Sequence, residues 1–212
     1  MLIVFDMDGV FIEERSSWKV IHKKYGIKND DIVAAYRRGE IDDEEFLNKD
    51  IERWRNKGIK RRDIEEIFNS IELTHGCKEC LDYFKENGEI AIISGGIDVL
   101  AKRIARFGIK HVFANGIIYK NELPWKAILN VPLMAKGKIL QQLMDDLGVK
   151  KEEVVVVGDT KYDVDMFKKA GIKIAFNPTD ELKDFADFII EKRDLKELIK
   201  IFEKDLGTCR QS

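Results

Sequence analysis

The chain has 212 residues, 44% hydrophobic and 36% charged, and its 37 Lys+Arg against 39 Asp+Glu leave a net charge of -2. Such a length buries roughly 70% of the surface its unfolded form exposes, so a core forms without staples, and the composition excludes disordered and collagen-like classes. The charge balance argues against a surface that grips nucleic acid or anionic lipid as a whole, and no apolar stretch approaches the ~20 residues that span a bilayer.

In chain order, Leu2-Ile3-Val4-Phe5 is the first apolar run and reads as a strand buried on both faces. More than 60 residues without a convincing strand follow. Segments 16–25, 30–37, 42–57 and 61–71 read as charged amphipathic helices, and 14 basic against 15 acidic residues over 13–75 nearly cancel. The spacing predicts a helical cap, 14–74, inserted into a core made of 1–13 and 75–212. The core continues with a helix over 77–87, a strand at Ile90 to Ile93, and a helix over 97–107. Residues 111–131 then read as a β-hairpin or flap, with Lys120-Asn121-Glu122 between its arms. A helix over 136–147, a strand at Val154 to Val157, a helix over 161–170, a strand at Ile172 to Phe176 and a weaker one at Phe188 to Ile190 complete the chain. Gly88, Gly108, Gly148 and Gly171 stand at the helix stops. Alternating β and α elements predict an α/β fold with an open, doubly wound, mainly parallel sheet.

In such sheets ligands bind beyond the carboxyl ends of the strands. Asp6-Met7-Asp8-Gly9 follows the first strand, Ser94-Gly95-Gly96 the second, and Gly158-Asp159-Thr160-Lys161-Tyr162-Asp163 the third long apolar run. Asp6, Asp8, Asp159 and Asp163 would cluster there, and carboxylates that close repel unless a cation lies between them. Mg²⁺ suits a site of few carboxylates plus water and phosphate. Asp6 and Asp8, two apart, point the same way in extended chain, so one can attack while the other moves a proton. Ser94 with the Gly95 and Gly96 amides opens a helix and offers donors to an anion. Lys136 or Lys138, at another helix start, could place a positive charge on phosphate.

The succession FDMDGV, ISGG, AKGKIL and VVGDTKYDVDMFKKAGIKIAF, with EKRDLKEL near the end, resembles the haloacid dehalogenase superfamily, and within it the phosphoserine phosphatase branch. The resemblance covers 1–12 and 75–205 and is faint in the cap. It implies a Mg²⁺-dependent phosphomonoester hydrolase. Asp6 would be the nucleophile that becomes an aspartyl phosphate, and Asp8 the acid and base. Ser94 and Gly95 would hold phosphate oxygens, and Lys138, rather than Lys136, would neutralise phosphate and nucleophile. The metal would be held by Asp6, the Asp8 backbone carbonyl and Asp159, with Asp163 orienting a metal-bound water. Where that branch has Ser-Thr after its second Asp, this chain has Gly9-Val10; its amine-binding Glu is Arg15 here, its carboxylate-binding Arg has no clear match, the nearest alignment placing Asp50 there, and its Asn before the last Asp is Tyr162. The phosphatase residues are thus complete while the amino-acid recognition set is not. Glu14, Arg15 and Trp54 are the candidate substrate-selecting residues, while Trp18 and Trp54 read more readily as cap core than as base-stacking platforms. The substrate this implies would be a small phosphorylated metabolite, phosphoserine or another such as a sugar phosphate; a non-catalytic binding protein on the same fold is the alternative.

The remaining features read more plainly. Cys77, with Cys80 on the same first helical turn, and Cys209 make an odd count without a second zinc pair, and MLIVFDMDGV lacks the basic start and cleavage site of a signal peptide. A reduced, cytoplasmic protein is expected, monomer or homodimer, with no nucleic-acid or membrane partner. The basic run RWRNKGIKRR (53–62) reads as a solvated helix end, and 27 Ile against 3 Gln give a thermophile's composition.

Overall fold

In the computed structural model, which describes residues 1–206, β1 (Leu2–Phe5) is wholly buried at the centre of a seven-stranded sheet. Cys209 lies outside the described residues. Strand side chains alternate between faces. Accordingly Leu2 and Val4 enter one apolar cluster, with Val154, Val156, Leu140 and Phe167, while Ile3 and Phe5 enter another, with Phe11, Leu81, Phe84 and Leu100. Both faces are covered, which is why the strand is apolar at every position.

Four helices follow β1: α1 (Ser17–Tyr25), α2 (Asp30–Arg37), α3 (Asp43–Asn56) and α4 (Arg61–Ser70). The chain then runs through α5 (Cys77–Asn87), β2 (Glu89–Ile97), α6 (Asp98–Ala105), β3 (His111–Lys120), β4 (Leu123–Ile128) and α7 (Lys136–Leu147). It closes with β5 (Val154–Gly158), a 3-10 turn (Lys161–Asp163), α8 (Val164–Phe167), β6 (Ile172–Phe176), α9 (Asp180–Lys183), β7 (Phe188–Ile190) and α10 (Lys196–Ile201). The strand order is β4-β3-β2-β1-β5-β6-β7, parallel except for β4. The chain leaves β1 for β2 on one side and returns to pair β5 on the other, so the order reverses at β1, where a doubly wound sheet opens its crevice.

Two boundaries differ from the periodicity. β2 extends through Ser94-Gly95-Gly96 to Ile97, with a register shift against β3 after Ile93, because three small residues there stay extended instead of starting the helix. The helix expected over 161–170 breaks into the 3-10 turn and the four-residue α8. Asp163 Oδ2 turns back to accept from the Asp159 and Thr160 amides (2.9 and 3.1 Å), which tightens the first turn.

The helical insert shares the core's apolar cluster through Trp18, Ile21, Trp54, Ile64 and Phe68. Trp18 stacks on Trp54 with ring centroids 5.0 Å apart, and such pairs contribute about 1 kcal/mol beyond the area they bury. The hairpin of β3 and β4 turns at Asn121 and Glu122, both with positive φ (50° and 66°), the primed geometry that matches strand twist. It is held against the insert: the Ala127 amide donates to Asn48 Oδ1 (2.9 Å) and the Arg61 amide to the Glu122 carbonyl (2.8 Å). Among the described residues no helix is long and apolar enough to cross a membrane.

Candidate active site

β1 ends where the Asp6 amide donates to the Val157 carbonyl on β5 (2.9 Å), so its side chain emerges at the reversal point of the strand order. Asp6 Oδ1 accepts from the Met7 amide (2.7 Å), and Oδ2 lies 3.0 Å from Lys136 Nζ. The same ammonium is 2.8 Å from Asp163 Oδ1. Asp159 leaves the end of β5 beside them, and one carboxylate oxygen from each of Asp6, Asp159 and Asp163 falls within a 4.8 Å group.

Gly9 makes this approach possible. It has φ +78°, and a Cβ there would lie 2.0 Å from Asp159 Oδ2. In this chain's backbone a side chain at position 9 would clash with Asp159.

Asp8 is gripped from one side only. Its Oδ2 accepts from the Ser17 amide (2.7 Å) and from Ser17 Oγ (2.9 Å), and that Oγ in turn accepts from the Ile97 amide (2.9 Å). Oδ1 has no hydrogen-bond partner. Gly96 fits into this knot: its Cβ would stand 2.6 Å from Asp8 Oδ2 and 2.7 Å from Ser17 Oγ. Ser94 is buried beside Asp6 and accepts from the Gly96 amide (3.2 Å). The Gly95 carbonyl accepts from Trp18 Nε1 (3.1 Å) and Asn115 Nδ2 (3.0 Å), which fixes this loop against the insert and β3.

The electrostatics are those of a cluster short of positive charge. Burial drives Asp6 upward, opposed by Lys136 and reinforced by Asp163. Asp8 is pushed up to about 7, by burial first and then by the Asp6 charge. Asp159 rises through burial and its acidic neighbours, Asp6 and Asp163. Burial alone would lower the Lys136 ammonium, but Asp163 and Asp6 hold it above its ordinary value. One lysine cannot neutralise four buried acids. Asp159 Oδ2 has no hydrogen-bond partner, only Arg15 Nη1 at 3.4 Å. Oxygen-only donors, crowding and unpartnered buried oxygens together fit a hard divalent ion. Asp163 has its oxygens engaged by Lys136 and by two amides, so it stands in the cluster as a neighbour already partnered.

The structure overturns one lysine assignment. Lys136, 2% exposed, is the residue at the carboxylates; Lys138 is exposed on the outside of α7. Two helical steps turn a side chain by about 200°, so at a helix start only one of the pair can face the strand ends. Trp54 is likewise not a pocket residue: it is fully buried against Trp18 and His22 inside the insert. Glu14 pairs with Lys23, away from the cavity, and its carbonyl accepts from the Gly9 amide (2.8 Å). Arg15 does line the cavity, donating to the Asp159 carbonyl (3.3 Å) and the Asn177 carbonyl (2.8 Å). Cys77 and Cys80 are buried, and burial pushes the Cys77 thiol up to about 12, so it stays an inert packing group. Ser17 escaped sequence reasoning. Ser-Ser-Trp announces a helix start, but nothing local says that the second Ser reaches back to Asp8.

A family model described as haloacid dehalogenase-like hydrolase matches residues 1–171. A phosphoserine phosphatase of Methanocaldococcus jannaschii is 32% identical over 205 residues, covering 94% of this chain and 96% of its own. One from Campylobacter jejuni subsp. doylei is 32% identical over 207 residues, covering 94% and 98%. Among solved structures, a substrate-bound phosphoserine phosphatase complex superposes with TM-score 0.80 at 31% identity, over 94% of this chain and 96% of that one. A phospho-aspartyl intermediate analogue of phosphoserine phosphatase gives 0.79 at 32%, over 94% and 97%. The chain therefore belongs to the haloacid dehalogenase-like hydrolases. Within them it sits on the phosphoserine phosphatase branch, and it is a hydrolase of the phosphatase type.

Proposed function

We propose that the chain is a Mg²⁺-dependent phosphomonoesterase acting through an aspartyl phosphate on Asp6. The observation that carries this reading is the Asp6–Lys136–Asp163 contact with Asp159 in the same cluster, a charge arrangement that leaves room for one more cation. Asp6, Asp159 and the Asp8 carbonyl would hold Mg²⁺, which supplies charge for the phosphoryl oxygens. The Asp6 carboxylate attacks phosphorus as the ester P–O bond breaks, and protonated Asp8 gives its proton to the leaving oxygen. Asp8, now a carboxylate, takes a proton from water as that water's oxygen attacks phosphorus. The P–O bond to Asp6 breaks, and phosphate and the free Asp6 carboxylate result. Ser94 and the Gly95 amide would hold phosphoryl oxygens, and Lys136 keeps the ionised nucleophile available.

The helical segment 14–74 acts in this reading as a cap over a small phosphorylated metabolite. Phosphoserine, named for the relatives, is the reference substrate. The free thiols of buried Cys77 and Cys80 support a cytoplasmic setting, and the isoleucine-rich, glutamine-poor composition supports adaptation to heat. Hydrolysis of p-nitrophenyl phosphate by Asp6→Asn is the test: a fall of roughly 10⁴-fold or more is expected for a missing nucleophile, and retained turnover would refute the assignment. EDTA should silence the wild type and Mg²⁺ restore it.

A further inference from the structure

The cavity between the strand ends and the helical insert, about 260 Å³, has an uneven charge on its far wall. Apart from Asp6 and Asp8, its cationic side chains are Arg15, Lys19, Arg37 and Lys136, and its one other acid is Asp50. Lys136 is spent on Asp6 and Asp163, and Arg15 is turned toward Asp159 and Asn177. Lys19 and Arg37 have no carboxylate partner among the described residues, although their neighbours do: Arg38 pairs with Glu40, and Lys23, one turn after Lys19, with Glu14. Both free cations are solvent-exposed on helices that face the cavity, α1 and α2.

Asp50 does not offset them. It is 1% exposed, and its carboxylate is covered by Asn29 Nδ2 (3.1 and 3.4 Å) and by the His22 ring, with Nε2 at 3.5 Å. On the insert's side of the cavity an ammonium would face Lys19 and Arg37, and the one acid there, Asp50, is already covered. A carboxylate or second phosphate would meet two cations with nothing else to bind.

We infer that this site selects phosphomonoesters whose leaving group carries a second anionic group and no ammonium, with Lys19 and Arg37 receiving that group. The inference rests on the phosphatase reading above and names the substrate class of the same site. The cations act in binding; the bonds made and broken at phosphorus are unchanged.

Three esters separate the charges cleanly. 3-Phosphoglycerate and phosphoserine differ by a hydroxyl in place of an ammonium, and glycerol 3-phosphate lacks the carboxylate. With the Mg²⁺-loaded enzyme, kcat/KM for 3-phosphoglycerate should exceed both others by about tenfold or more, the preference expected from a like-charge clash or a missing pair. In Lys19→Gln/Arg37→Gln the ratio of 3-phosphoglycerate to glycerol 3-phosphate should fall toward one. Lys24→Gln, on α1 but outside the cavity lining, should keep it. Phosphoserine turned over as well as 3-phosphoglycerate, or an unchanged ratio in the double variant, overturns the inference while p-nitrophenyl phosphate turnover leaves the phosphatase reading standing. Absence of p-nitrophenyl phosphate turnover overturns both.

Discussion

At the strand ends the charged groups are buried and answer one another: Lys136 bridges Asp6 and Asp163, and Ser17 holds Asp8. In the helical insert the buried contacts are mostly apolar, such as Trp18 on Trp54, and most charges stand on the surface. A substitution in the first region removes one member of a buried charge network whose other members then lose their partner. In the second, on the inference drawn for Lys19 and Arg37, it changes which ligand is welcome. The contrast separates chemistry from selectivity, and it can be tested residue by residue.

Lys136→Ala breaks the network at its only buried cation. It leaves two acids facing each other, so kcat/KM for p-nitrophenyl phosphate should fall roughly 10²–10³-fold. The protein without metal should lose about 3–5 kcal/mol in a denaturant melt. Lys138→Ala, exposed two residues on, should stay within about 0.5 kcal/mol and near wild-type turnover. Equal effects from the two lysines would erase the distinction drawn between them.

Ser17→Ala probes the join between the two regions. The amide bond to Asp8 Oδ2 survives and the hydroxyl bond is lost, so kcat should drop about tenfold, the worth of one charge-assisted hydrogen bond, while inhibition by inorganic phosphate holds. A matching change in the phosphate inhibition constant would make Ser17 merely architectural.

The smallest effect belongs to the insert's own buried pair. Burial pushes Asp50 up to about 6, and burial followed by the charges of Arg53 and Lys19 brings His22 down to about 4. The folded pKa of Asp50 lies above its unfolded value, so its contribution to stability is full at low pH and is lost as pH rises through about 6. His22 runs the other way, contributing above its ordinary 6.5 and losing that contribution as pH falls through about 4. Melting curves of Asp50→Asn should therefore gain on wild type as pH rises from 4 to 6, and those of His22→Leu as pH falls from 6.5 to 4. Parallel curves would show that Asp50 and His22 keep their unfolded pKa values in the folded insert.

The strands and most helix boundaries were legible because their signals are local. Leu2–Phe5 is apolar throughout, Gly148 stops α7, and the insert's helices show their period within ten residues. That Asp6, Asp159 and Asp163 meet was legible too, since Asp6 and Asp159 directly follow β1 and β5, Asp163 lies in the turn after β5, and the chain direction in a parallel sheet sends them to one edge. Lys136 against Lys138 was not, because at a helix start both satisfy the same spacing. Of the two readings of Trp54, cap core and substrate selector, the structure has the first: an aromatic in a charged segment looks available until the neighbouring helix covers it.

Residue order alone thus dictated a parallel α/β sheet with its acids gathered at one rim, because hydrophobic period and chain direction are properties of short segments. Which lysine meets those acids, which serine steadies Asp8, and which cations remain free to greet a ligand were decided by packing. Those outcomes depend on distances between segments far apart in the chain, such as the 2.9 Å from the Ile97 amide to Ser17 Oγ, and no local pattern encodes them.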